Sequence, residues 1–459
     1  MRAEAATEWI AAADACERAL TFIAGDVAHA PDEIALLTAL GRCYWFDAQV
    51  RPAWRSLRRA IALARDTGDG IGQARATVEI LRIWGPPDKQ REMADDALEA
   101  LGDRDAHLRA LLLLRSRRWS EAFVIAEARG FDDVLQARKQ DEAWRAIEAG
   151  RVDEFRSLMH EAHETLASLG DPDVAAGPLR GLGFRLLELG QLREGLRTLN
   201  ETVAYARAHH LRFQEQLALI DVIGIAYAQN ELEECERLLG ALSGGVDFRA
   251  DLYRMWIAQQ RGDIDEALTL LVEPAAGGGA LTALSQIHCA AAGMFFIAGR
   301  EELAARELQE WAAVARDGAS FAEEAPVATD CLVALGSEAL LREVRDAIAR
   351  RDAESALPDR YCTLQGRSLD VARGALALRL GELDDARRHF ETGLRWARDQ
   401  RCPVDAGRCV RGLAEVALAA GELDDARSGF EAAAIVFEAA GAAYEHGRTR
   451  QLAAAARGE

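Results

Sequence analysis

The chain has 459 residues, half of them apolar and 6% aromatic, enough to bury a core but too long for one compact globule, so several domains or an extended array are expected. Its 55 basic against 75 acidic side chains give a net charge of −20, and a surface of that sign repels phosphate, which argues against direct nucleic-acid binding. The eight cysteines stand singly without a CxxC spacing, which speaks against a zinc or dithiol redox site and fits a reducing, cytoplasmic setting.

The opening stretch, MRAEAATEWIAAADACERAL, scatters acids among its apolar residues and lacks the basic start and unbroken apolar middle of an export signal. Ala12, Cys16 and Ala19 fall on one helix face and read as the second helix of a hairpin. Residues 1–24 are therefore assigned to an N-terminal helix without its hairpin partner, either an end cap or the boundary of a longer protein. Next, LGRCYWFDAQV is followed by Ala53, Leu57 and Ala60, a small–large–small trio spaced i, i+4, i+7. Fainter copies are Ala94 with Leu98, Ala122 with Ala126, and Leu340, Val344 and Ala347.

From Gly150 the pattern sharpens. GRVDEFRSLM at Gly150, GQLREGLRTL at Gly190, NELEECERLL at Asn230, GDIDEALTLL at Gly262 and GREELAARELQEW at Gly299 all open the same way. GELDDAR occurs twice, from Gly381 and from Gly421, forty residues apart. In both copies the following residues repeat the trio, as Ala386, Phe390, Gly393 and as Ala426, Phe430, Ala433. The leading glycine supplies the permissive backbone of a helix C-terminus, and the acids behind it favour the positive end of the next helix. Each copy is thus a helix–turn–helix junction. One hairpin cannot bury its apolar face alone, so residues 25–441 are expected to stack as an all-α solenoid of antiparallel hairpins, each touching only its neighbours. Residues 442–459 read as a capping helix and tail. The longest apolar stretch, CAAAGMFFIAG from Cys289, is about half of the ~20 residues needed to cross a bilayer, and no membrane partner is expected.

Catalytic chemistry finds little footing. Lys89 and Lys139 are the only lysines and lie in PPDKQ and ARKQD, outside any GxxxxGK[ST] phosphate cradle, so no ATP site is assigned. His160 and His163 are spaced i, i+3 and lack the HExxH arrangement of a zinc hydrolase. His209 and His210 read as a helix-end pair, and Gly277 to Gly279 as a connection. No catalytic, metal-binding or cofactor-binding residue is assigned, and no cofactor is expected.

Leu40, Gly41, Tyr44, Ala53, Leu57 and Ala60, and again Leu182, Gly183, Leu186 and Leu199, resemble the small and large signature positions of the tetratricopeptide (TPR) repeat. The resemblance covers nearly the whole chain, with departures at Arg373, where leucine is usual, and at Gly195, where alanine is. The stretch from LQGRSLDVARGALALRL to VFEAAGA also resembles the C-terminal arm of bacterial STAND-type ATP-binding regulators, those related to the maltose regulator and linked to LuxR or adenylate-cyclase domains. The TPR register implies that Arg42, Trp45, Trp144, Arg180, Phe184, Tyr227, Trp256, Phe296, Arg408 and Arg411 face a concave groove. Arginine pairs with carboxylates and aromatics anchor peptide side chains, although the same aromatics also suit the gaps between adjacent helices.

Two readings stay open. One is a non-enzymatic interaction scaffold, a regulatory or sensor arm binding a protein or peptide, or a small effector, in its concavity. The other is the effector-binding part of a STAND-type signalling or transcriptional regulator whose NTPase and output domains are not in this chain.

Overall fold

The computed structural model describes residues 2–25, 27–83, 87–242, 249–271, 281–318, 321–354 and 356–457. The triple glycine at 277–279 lies outside them. The described residues form an all-α solenoid of stacked helical hairpins. Its rhythm is regular in two blocks. Helices start at 132, 152, 172, 192, 212 and 232, and again at 383, 403, 423 and 443. Asp132–Glu148, Pro172–Glu188, Leu383–Asp399 and Leu423–Ala439 are each 17 residues long, which leaves three residues for every turn.

The turns repeat one device. The middle residue of the three takes a left-handed φ: Gly150, Gly170, Gly190, His210 and Asn230 in the first block, Gly381, Arg401, Gly421 and Gly441 in the second. The seven junction residues read from the sequence, at 150, 190, 230, 262, 299, 381 and 421, all have this conformation. At Gly190 the amide donates to Leu187 O at 2.7 Å and the next amide, Gln191, reaches back to Leu186 O at 2.9 Å, closing the helix end. Asn230 holds the same geometry without being glycine, and its side chain has other work: Nδ2 donates to Ala440 O at 2.6 Å, far along the chain.

Alternate helices differ in burial. Arg212–Ala228 carries LALIDVIGIAYA and is buried around nearly its whole girth, as a helix apolar on all sides must be. Leu383–Asp399 instead buries one stripe, Ala386, Phe390, Gly393, Trp396 and Ala397. Phe390 shows why the trio alternates small with large. Its ring fills a notch between two flanking helices, where a Cβ on Gly412 would come within 2.4 Å of it. Ala426, Phe430 and Ala433 are fully buried in the equivalent layer. In the fainter copy at 340–347 the inward residues are Leu341, Val344 and Ile348, one step beyond the expected positions at the two ends.

The stack also winds back on itself, so the nearest-neighbour expectation fails. Arg212 pairs with Asp47 at 3.2 Å across 165 residues, and the Trp45 and Phe213 rings lie 3.8 Å apart. Leu192 N donates to Gln400 Oε1 at 3.0 Å across 208 residues. The first helix, Arg2–Ile23, packs on Ala30–Phe46, with Trp9 4.6 Å from Phe46. The last, Ala443–Arg457, packs both on Leu423–Ala439 and on Arg249–Arg261 from the middle of the chain.

Between the turns runs a short irregular segment, and it contains the described strands. Tyr361–Cys362 pairs antiparallel with Arg367–Ser368, Tyr361 opposite Ser368. On its way the segment visits one inner helix end after another. Ala356 N donates to Glu148 O at 3.0 Å, Arg360 N to Glu188 O at 2.7 Å, and Tyr361 OH to Gly224 O at 2.8 Å. Tyr361 is 2% exposed.

Candidate functional site

The inner helices of the C-terminal block carry charge where a buried helix would ordinarily be apolar. Pro403–Ala419 places Arg408 and Arg411 one turn apart, and Ala443–Arg457 places Glu445 and Arg448 likewise. Phe321–Leu335 adds Asp330, and the second strand adds Arg367. The fold gathers these around a cavity of about 420 Å³, a size typical of small-molecule sites. Arg367, Arg408, Arg411 and Arg448 line its polar side with Asp330 and Glu415. Val333, Ala375, Leu378 and Leu418 form its apolar side, with Leu418 exposed at the rim.

The ion pairs are unevenly shared. Glu445 lies almost wholly buried between two arginines: Arg408 Nε donates to Oε1 at 2.7 Å and Arg411 Nη1 to Oε2 at 2.5 Å. Burial by itself would raise this carboxyl, but Arg408, Arg411 and Arg448 outweigh that and hold it well below the usual carboxylate range. Arg448 pairs with Asp330, whose carboxyl is brought down to about 2 by that arginine against the opposing effect of burial. Asp405 accepts from Ser368 N at 2.6 Å and from Arg408 at 3.3 Å. Burial raises the Glu415 carboxyl, which weakens its value as a counter-charge.

Arg367 is the exception. Its guanidinium contacts the Tyr227 hydroxyl, its Nε is buried without a partner, and among the described residues it makes no ion pair. Burial and then the neighbouring Arg408 lower its pKa. Glu445 and Asp405 offset this only in part and from beyond ion-pair distance, so a half-buried guanidinium is left without a direct carboxylate partner, and such a group can be completed by an anion.

Of the ten residues placed by the TPR register on a groove, four come together here. Arg408 and Arg411 line the cavity, Tyr227 touches Arg367 behind it, and Trp256 lies 6.4 Å from Tyr227. Tyr227 and Trp256 are themselves buried, Trp256 at 2% exposure beneath Tyr253. The other six are scattered. Trp45 is buried against Phe213, Arg180 pairs with the buried Asp221, and Phe296 packs on the central core. Arg42 is exposed over Phe46, Trp144 is half-buried 5.5 Å from Phe155, and Phe184 is half-buried. The sequence reading missed Arg367, Arg448, Asp330, Glu415 and Glu445. For Asp330 and Glu415 the signal was available as charge inside the apolar runs VATDCLVAL and LAEVALA, whereas Arg367 lies on a strand and Glu445 and Arg448 in a polar stretch, where nothing local marks them.

Two of the candidate histidines have structural contacts. His163 Nδ1 bonds the Ala175 carbonyl at 2.8 Å, and His209 packs on Tyr205 next to the left-handed turn at His210. Among the described residues no group of three or more His, Cys, Asp or Glu could hold a metal ion, and no helix is long and apolar enough to cross a membrane.

No family model matches the chain, and the search of curated proteins finds no match. Among solved structures the chain is similar to yeast Tom70, at 13% identity and a TM-score of 0.30, over 98% of this chain and 96% of that one. It is also similar to a circular tandem repeat protein with a novel repeat topology, at 18% identity and a TM-score of 0.16, over 95% of this chain and 100% of that one.

Proposed function

We propose that the chain is a non-enzymatic interaction scaffold of regulatory or sensor type, which takes up its partner segment or effector at the arginine-lined C-terminal cavity. The observation that carries this reading is the way the inner face is used. The returning turns and the segment 356–368 occupy it, and an opening of about 420 Å³ with clustered arginines is left at one end. That size favours a small effector or a single side chain over a long bound peptide. It therefore also supports the second reading, the effector-binding part of a STAND-type regulator. A cytoplasmic setting is supported by eight free cysteines, seven of them buried, and the charge of −20 speaks for partners other than nucleic acid.

Ala375→Trp, which fills the cavity from its apolar side, tests the reading. Affinity capture from the native host with wild-type chain, this variant and the double variant Trp144→Ala/Phe184→Ala is the measurement. The expected result is capture lost on filling the cavity at unchanged melting temperature and kept in the double variant. The opposite pattern would move binding to the surface around Trp144.

A further inference from the structure

We propose that the C-terminal cavity binds a small organic anion whose charged head, a carboxylate or a phosphate, sits on Arg367 and whose aliphatic body lies against Val333, Ala375, Leu378 and Leu418. This rests on the cavity being the binding site, and adds the chemistry of what enters it.

Charge bookkeeping around the cavity points to an anion. Five arginines line it, Arg367, Arg379, Arg408, Arg411 and Arg448, against two lining carboxylates, Asp330 and Glu415. Arg448 is ion-paired with Asp330, and Arg408 and Arg411 share Glu445 behind the wall. Arg379 sits at the rim with its Nε on the Val333 carbonyl at 3.0 Å. Among the described residues neither Arg379 nor Arg367 makes a direct ion pair, but Arg379 is exposed, whereas Arg367 is held inside on a hairpin fixed on both sides, with Asp405 and Glu445 acting on it only from beyond ion-pair distance. Ser368 N is held by Asp405 and Tyr361 OH by Gly224 O. The arginine is therefore held in place without a carboxylate in direct contact.

A guanidinium offers paired N–H donors that match a carboxylate or phosphate, and inside a partly desolvated cavity such charge-assisted bonds are stronger than in water. The lining also carries the aliphatic side chains Val333, Ala375, Leu378 and Leu418, beside which the nearest donor, Arg379, is already engaged by the Val333 carbonyl. A polyanion would set further charge against these aliphatic side chains. One charged end and one aliphatic end fit the cavity.

Calorimetric titration and thermal shift of the full chain with hexanoate, hexyl phosphate and 1-hexanol test the proposal. The expected result is saturable binding of at least one anion, a raised melting temperature and no binding of hexanol. Preference between hexanoate and hexyl phosphate identifies the head. Arg367→Met should weaken anion binding by about tenfold to hundredfold, the worth of a charge-assisted contact. Because it removes a half-buried charge that makes no direct ion pair, it should leave the unliganded melting temperature unchanged or higher, which a structural arginine would not do. Ala375→Trp should block binding independently. Folded wild type that binds neither anion at roughly 10 mM, about ten times a 1 mM Kd, overturns the proposal, as does equal binding by Arg367→Met. If the anions fail while Ala375→Trp still abolishes capture, the ligand class falls and the site reading stands.

Discussion

The Trp396 indole donates its Nε1–H to the Gly190 carbonyl oxygen at 2.9 Å, although 206 residues separate the two. Gly190 is at a helix turn with φ of 77°, and a Cβ there would meet Trp396 Nε1 at 2.4 Å. One residue therefore meets two demands, a left-handed backbone and a close approach between successive turns of the solenoid.

Gly190→Ala should accordingly destabilise more than Gly170→Ala. Gly170 has the same kind of backbone, φ of 81°, but open space around its Cβ position. The backbone term alone costs about 1 kcal/mol, and the steric conflict at Gly190 should add about 1–3 kcal/mol. Chemical denaturation of both variants, with tryptophan emission as the probe, reads the difference. Equal losses would mean that the contact between turns contributes nothing.

Phe430 is fully buried at the C-terminal block, and Phe430→Ala should cost roughly 3–5 kcal/mol. In a strictly one-dimensional stack the damage would stay among the last hairpins. Here Asn230 bonds Ala440 O and Arg448 pairs with Asp330, so protection should also fall around 230 and 330. Hydrogen exchange resolves the pattern, and loss confined to residues beyond about 400 would restore the nearest-neighbour picture.

Glu324 is fully buried, accepting from Trp311 Nε1 at 2.8 Å and from the Ser285 hydroxyl, and burial raises its carboxyl from the ordinary 4.5 to about 7. The folded chain keeps a proton that the unfolded chain releases. Its contribution is thus full below about pH 4.5 and is lost as pH rises through about 7. Glu324→Gln cannot ionise, so its stability relative to wild type should improve by about 2 kcal/mol between roughly pH 5 and pH 8. Urea melts at both ends of that range measure it, and a difference independent of pH would contradict the assignment.

Trp256→Ala should lower stability by roughly 3–5 kcal/mol, because the indole is 2% exposed among Tyr227 and Tyr253. Trp144→Ala, at a half-buried site, should cost about half as much. Any binding lost in the first variant is then inseparable from unfolding, whereas the second isolates the surface. Comparable melting temperatures for the two would place Trp256 outside the core.

Glu445→Gln removes the anion shared by Arg408 and Arg411 and should cost roughly 3–5 kcal/mol, the usual penalty for stranding buried charge. Arg411→Glu should be as damaging, since it sets a second carboxylate against Glu445. Thermal melts at neutral pH check both, and mild effects would mean that water already reaches the cluster.

Local chemistry was legible in the residues themselves. The glycines at 150, 190, 262, 299, 381 and 421 and the asparagine at 230 mark turns because few residues tolerate a left-handed φ, and that preference acts within four or five residues. The trio Ala426, Phe430, Ala433 likewise announces a buried helix face through its period alone. From such signals follow the all-α class, the hairpin unit and the stacked array.

What the pattern could not carry was how far the stack winds before it meets itself. That depends on small rotations accumulated over many hairpins, and no single repeat encodes them. The consequences are specific. Trp45 and Trp256, placed on a groove by register, are instead buried, Trp45 against the next turn. Arg408 and Arg411 do reach the inner face but are met there by Glu445 from the terminal helix. Arg367 becomes a candidate ligand contact only because the returning segment at 356–368 lays it between helices that are distant in the chain. Periodicity determined the inward face of the clearest repeats, such as Ala386, Phe390, Gly393 and Ala426, Phe430, Ala433, and tertiary winding decided what the inward faces would find there.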